Sequence, residues 1–146
     1  MRAAAGFSWV AAALAALAAA GCGSGSWGNP SGFYVSISGM SFSPLNLDAP
    51  PGATVTIINN DSMAHSVTSE AIPDSFTHGG AIPFDTGAFT GQASFTLPTT
   101  APAGTVLNYF CAVHKGTMAT RNGTITVRPD AAPSPPPGGM PPGYGY

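Results

Sequence analysis

The stretch Tyr109-Phe-Cys-Ala-Val-His-Lys-Gly-Thr-Met118 decides how the rest of the chain is read. An apolar run rich in aromatics ends at a cysteine, and a histidine and a methionine follow it within the eight residues Cys111 to Met118. Thiolate, imidazole and thioether are soft or borderline metal donors. At the mouth of a strand pair, a Cys-x-x-His-x-x-x-Met loop folds back so that all three converge on one point. Taken alone, Cys111 has a plainer reading as a buried structural thiol. Its neighbours in the sequence argue against that.

Outward from this stretch, no segment holds apolar residues at a sustained helical spacing, whereas several short runs alternate with period two between Gly, Pro, Asn or Asp. Strands are expected at Phe33 to Ser38, Thr54 to Asn59, His65 to Ser69, Gln92 to Leu97, Thr105 to Cys111 and Gly123 to Arg128. The inward sets are Val35/Ile37, Val55/Ile57, Ala93/Phe95/Leu97, Leu107/Tyr109/Cys111 and Ile125/Val127. This spacing suits an all-β sandwich. The run from Ala71 to Thr90, with Pro73, Gly79, Gly80, Pro83 and Gly87, reads as a loop or a short helix. His65, just after the turn-forming Asn59-Asn60-Asp61-Ser62, is the candidate fourth donor. Two imidazoles, one thiolate and a weak axial thioether describe a type 1, blue-copper site.

With these residues in place, the chain resembles the cupredoxins, above all the small bacterial ones akin to plastocyanin, amicyanin and pseudoazurin. The resemblance covers most of the domain. Beyond the donors it takes in Phe84-Asp-Thr-Gly, Gly91-Gln-Ala-Ser-Phe-Thr-Leu, Ala103-Gly-Thr-Val-Leu-Asn-Tyr-Phe-Cys-Ala-Val-His and Gly123-Thr-Ile-Thr-Val. His65 lies 46 residues before Cys111, in keeping with the family order. Two details depart from the pattern. The three-residue gap between His114 and Met118 is intermediate between the plastocyanin-like and amicyanin loops, and Ala64 stands where a proline often precedes the first histidine.

The resemblance implies a Greek-key β-sandwich holding one copper, Cu(I)/Cu(II), through His65, Cys111, His114 and Met118, with a single-electron role and no enzymatic one. It also implies that Ser66 hydrogen-bonds toward the cysteine loop. The His114 ring is then the electron port, within an apolar patch beside Lys115, where redox partners dock weakly and briefly. A monomer is expected. The main rival is a copper trafficking or storage protein, although Cu(I) carriers favour exposed and often repeated Met and His motifs. Two further rivals are a cysteine hydrolase using Cys111 and His114, and a sandwich module that binds protein without metal. A multicopper oxidase is excluded, because the three histidines include no His-x-His pair.

The remaining sequence assigns compartment and boundaries. Residues 1–21 carry one charge, Arg2, and then an Ala-rich apolar run that ends at Ala19-Ala20-Gly21-Cys22. This reads as a lipoprotein-type export signal, with Cys22 as the lipidated N-terminus, although Ala19 stands where such boxes commonly carry Leu. The implied location is the periplasm or cell envelope, anchored to a bacterial membrane. Two cysteines in an exported chain would ordinarily suggest a Cys22–Cys111 disulfide. Lipidation of Cys22 removes that option and leaves Cys111 as an odd thiol that needs another role. Residues 22–32 form a Gly/Ser-rich linker, 33–129 the copper-binding domain, and 130–146 a Pro/Gly-rich tail expected to be disordered. Charged residues make up 7 %, the formal net charge is −2, and the four Lys and Arg are scattered. That leaves no footprint for nucleic acid.

Overall fold

The computed structural model describes residues 31–138. Cys22, the expected export signal and most of the expected linker lie outside the described residues, as do residues 139–146. Eight strands run in chain order: β1 Phe33–Ser38, β2 Ser41–Ser43, β3 Asn46–Ala49, β4 Thr54–Asn59, β5 Thr68–Glu70, β6 Gly91–Thr96, β7 Val106–Phe110 and β8 Asn122–Val127. They form two four-stranded sheets, ordered β2-β1-β4-β6 and β3-β8-β7-β5. The β1–β4 and β3–β8 pairs are parallel, and the other pairs are antiparallel. Among the described residues there is no helix.

The sequence alternation becomes the core. Val35, Ile37, Val55, Ile57, Tyr109, Ile125 and Val127 are wholly buried in one apolar cluster drawn from both sheets. Burying each such side chain contributes about 1.5–3 kcal/mol. In β6 the alternation is softer: Ala93 and Phe95 are half-buried, and only Leu97, just past the strand, is fully enclosed. Among the described residues Tyr109 is the largest fully buried one, and its ring meets Phe42 of β2 edge-on with centroids 5.0 Å apart. Burial pushes its phenol pKa above the ordinary value. Across the β7–β8 ladder Tyr109 faces Gly123, where an added Cβ would fall 2.2 Å from the phenol. Glycine is therefore what lets the strand ending at Cys111 keep its register.

Two strand expectations are adjusted, one open alternative is resolved, and one pairing is added. β2 and β3 lie where no strand was expected, because three- and four-residue runs either side of Pro44 are too short to display a period. The strand expected over His65 to Ser69 pairs as β5 only at Thr68–Glu70, and His65 makes an isolated bridge to Phe89. The run from Ala71 to Thr90 is irregular chain that covers the outer edge of β5. Ser69 N–H donates to Phe84 O at 2.9 Å, Thr86 N–H donates to Val67 O at 3.2 Å, and the Phe84 ring stacks on Phe95 at 4.0 Å. This cover is why β5 is buried on both faces. Glu70 is enclosed there, and its carboxylate accepts the Phe76 N–H and the Asn122 side-chain amide, as a buried carboxylate requires. Finally, pairing extends past the expected boundaries, since Gly32 and Ser134 exchange two backbone hydrogen bonds of 2.9 Å. Backbone pairing needs no apolar side chains, so composition hid it.

Candidate metal centre

The four expected donors come from two places at one end of the sandwich. β7 ends at Phe110 and delivers Cys111, whose side chain is 1 % exposed. The chain then turns, with Thr117 N–H donating to His114 O at 3.0 Å, so that His114 returns toward the cysteine. His65, 0 % exposed, follows the turn after β4 and is anchored by paired backbone bonds with Phe89, 3.0 and 2.8 Å.

Three side chains converge. Cys111 Sγ lies 3.7 Å from His65 Nδ1 and 3.7 Å from His114 Nδ1, and the two Nδ1 atoms are 3.2 Å apart. His65 Nε2 faces Asp61 Oδ2 at 3.1 Å. A carboxylate accepts, so Nε2 is the nitrogen that donates to Asp61, and Nδ1 is the nitrogen that faces the other two donors. Two imidazole nitrogens and a sulfur at these distances can share one cation between them. A point about 2 Å from all three atoms exists inside this triangle, within the ordinary bonding range of imidazole and thiolate to a first-row transition metal. The donor set is therefore compatible with one copper ion.

Met118 is 4 % exposed and belongs to the same buried cluster as Cys111. Ser66 links the two donor segments. Its N–H points at Cys111 Sγ at 3.4 Å, and its hydroxyl accepts Ala112 N–H at 2.7 Å. That hydroxyl lies 4.0 Å from the sulfur and 3.2 Å from Thr68 Oγ1, which in turn donates to Asp85 Oδ1 at 2.9 Å. Cys111 is a free thiol among the described residues. His78 is exposed, and its backbone bridges Glu70 beside β5.

Two residues of this end were not singled out from sequence. Asp61 supports His65 and also accepts the N–H groups of Gly39 at 2.7 Å and Met40 at 3.0 Å. The Met40 and Gly39 donors, followed at some distance by His65, hold its carboxyl below the usual carboxylate range. Asn59, the last residue of β4, donates to Met63 O at 2.9 Å and Phe89 O at 3.2 Å and accepts Asp61 N–H at 3.0 Å. The sequence signal for Asp61 was a carboxylate four residues before a candidate ligand, which a turn-forming role equally explains.

Around the centre, His65 and Cys111 are enclosed while His114 is half-buried, between the exposed Val113 and Lys115. Residues 33–128 match a family model described as copper-binding proteins, plastocyanin/azurin family. No curated protein matches the chain. Among solved structures, an oxidized methionine-to-leucine mutant of amicyanin is similar, with a TM-score of 0.50 and 25 % identity over 66 % of this chain and 82 % of that one. The Cu(I) form of a methionine-to-alanine mutant of amicyanin has a TM-score of 0.50 and 22 % identity over 68 % and 84 %. A purple cupredoxin from Nitrosopumilus maritimus has a TM-score of 0.49 and 25 % identity over 66 % and 99 %.

Proposed function

Because the chain belongs to the plastocyanin/azurin family of copper-binding proteins, we propose that it is a single-electron carrier of the bacterial cell envelope. In this reading His65, Cys111 and His114 would hold its copper, with Met118 as a fourth, weaker donor. The observation that carries the reading is the triangle of one sulfur and two Nδ1 atoms, each edge between 3.2 and 3.7 Å. Copper bound there supplies a one-electron couple. The protein's part is to keep the donors still. His65 is held by the Phe89 backbone and by Asp61, and Cys111 by the Ser66 N–H and the end of β7. Donors fixed by packing and hydrogen bonds change little between oxidation states, which favours fast transfer. His114 is the one ring of the triangle that is half-exposed, so it is the port for partners that dock weakly and transiently. Enclosed donors suit an ion that stays. A trafficking role would call for donors that open to release it.

The test is the visible and EPR spectrum of the full chain with one equivalent of Cu(II). The expected result is intense thiolate-to-copper absorption with narrow copper hyperfine splitting, reversibly bleached by a mild reductant and absent in Cys111→Ser. A colourless protein that binds Cu(I) tightly would point to trafficking, and failure to bind copper would overturn the assignment. Membrane attachment through Cys22 is part of the same proposal. It is tested by incorporation of a labelled fatty acid, which Cys22→Ser should abolish.

A further inference from the structure

We propose that Asp61 is a positioning residue that couples the His65 end of the donor set to the Met118 end through the turn at Gly39 and Met40. The inference rests on the copper reading above. One carboxylate serves three donors: Oδ1 accepts Gly39 N–H at 2.7 Å, while Oδ2 accepts Met40 N–H at 3.0 Å and faces His65 Nε2 at 3.1 Å. Met40 is a non-glycine residue at φ 62°, a left-handed conformation that an L side chain adopts only when its surroundings hold it there. Two adjacent N–H groups presented to one carboxylate are such a hold.

On its other side, Met40 O accepts Ala119 N–H at 2.8 Å, directly after Met118. Two residues further on, in β2, Phe42 N–H donates to Thr120 Oγ1 at 2.7 Å. A continuous path of short bonds thus runs from the His65 ring through Asp61 and Met40 to the backbone beside Met118. Its effect on the metal has two parts. A carboxylate on the far nitrogen makes the imidazole a stronger donor and fixes its plane, and its negative charge favours the more highly charged Cu(II). The turn transmits the same restraint to the loop that carries Met118.

The experiment compares Asp61→Asn and Asp61→Ala with the unaltered full chain, with and without copper. In the metal-free protein, the His65 Nε2–H proton resonance should be lost in Asp61→Ala. Amide exchange at Gly39, Met40 and Ala119 should rise at least about tenfold, while the β4–β6 ladder keeps its protection as the control for folding. With copper, the electron-sharing equilibrium with a fixed mediator should move toward Cu(I) by about tenfold, which is 59 mV for one electron. Asp61→Asn should move it the same way by less and preserves the side-chain size if the alanine variant does not fold. Unchanged exchange at Ala119 together with an equilibrium within about twofold would overturn the coupling and leave Asp61 as a cap on its own turn. If the unaltered protein bound no copper, the function assignment would fall, and the metal-free exchange and ring resonances would still judge Asp61.

Discussion

The two halves of the proposed donor set are built in opposite ways. Cys111, His114 and Met118 share one connection between β7 and β8, whose surface residues Val113, Lys115, Gly116 and Thr117 are exposed. His65 stands alone and enclosed, in a frame assembled from the β1–β2 turn, the end of β4, the 59–65 turn and Phe89, in which Asn59 is buried while Gly39, Asn60, Ser62 and Met63 are exposed. The first half is a cluster of donors on a short loop, and its internal bonds compete with water. The second is one donor supported by the partly buried Asp61 and by the buried Asn59, whose loss leaves partners unsatisfied. The loop therefore supplies most of the chemistry, and the frame supplies most of the geometry.

That contrast is open to attack, beginning with the strand under the loop. Gly123→Ala should destabilise the protein by about 3 kcal/mol or more, because the new Cβ collides with the enclosed Tyr109 ring. Urea unfolding of the metal-free chain reads this directly, and an unchanged midpoint would show that β7 adjusts freely. On the frame side, Asn59→Ala removes three hydrogen bonds from a residue 6 % exposed and should cost about 2 kcal/mol. It should also broaden the copper hyperfine lines as His65 gains freedom. At the seam, Ser66→Ala leaves the half-buried Ala112 N–H to partial hydration, and a loss of about 1 kcal/mol is expected. On the loop side, Thr117→Ala deletes an exposed bond to His114 O and should stay within about 0.5 kcal/mol. A Thr117 effect as large as that of Asn59 would erase the distinction between the halves.

The arrangement of Ser66, Thr68 and Asp85 sharpens the same point. Thr68 spends its only hydroxyl proton on Asp85, so the Ser66 proton is free to turn toward Thr68 at 3.2 Å or toward the sulfur at 4.0 Å. The shorter contact favours Thr68, and the bond to Cys111 is then the Ser66 backbone N–H. The resemblance singled out Ser66. The proton bookkeeping that assigns its atoms depends on Asp85, 19 residues away, held by a segment with no regular pattern.

Much of this protein was legible in its residues. Alternation of apolar positions located β1, β4 and the cores of β6, β7 and β8, because burying one face of a strand leaves a period-two trace in local sequence. The Cys-x-x-His spacing marked Cys111 and His114, which the structure brings together with His65, for a similar reason, since a short connection keeps such groups close in sequence. Other features were decided by tertiary structure alone. Strands β2 and β3, the irregular cover over β5 and the Gly32–Ser134 pairing rest on backbone partners that carry no side-chain signature. Asp61 reads as a turn former until the fold brings Gly39 and Met40, more than twenty residues earlier, onto its carboxylate. Hydrogen bonds that close such long loops form only after the sheets have assembled, so no local window of sequence contains them.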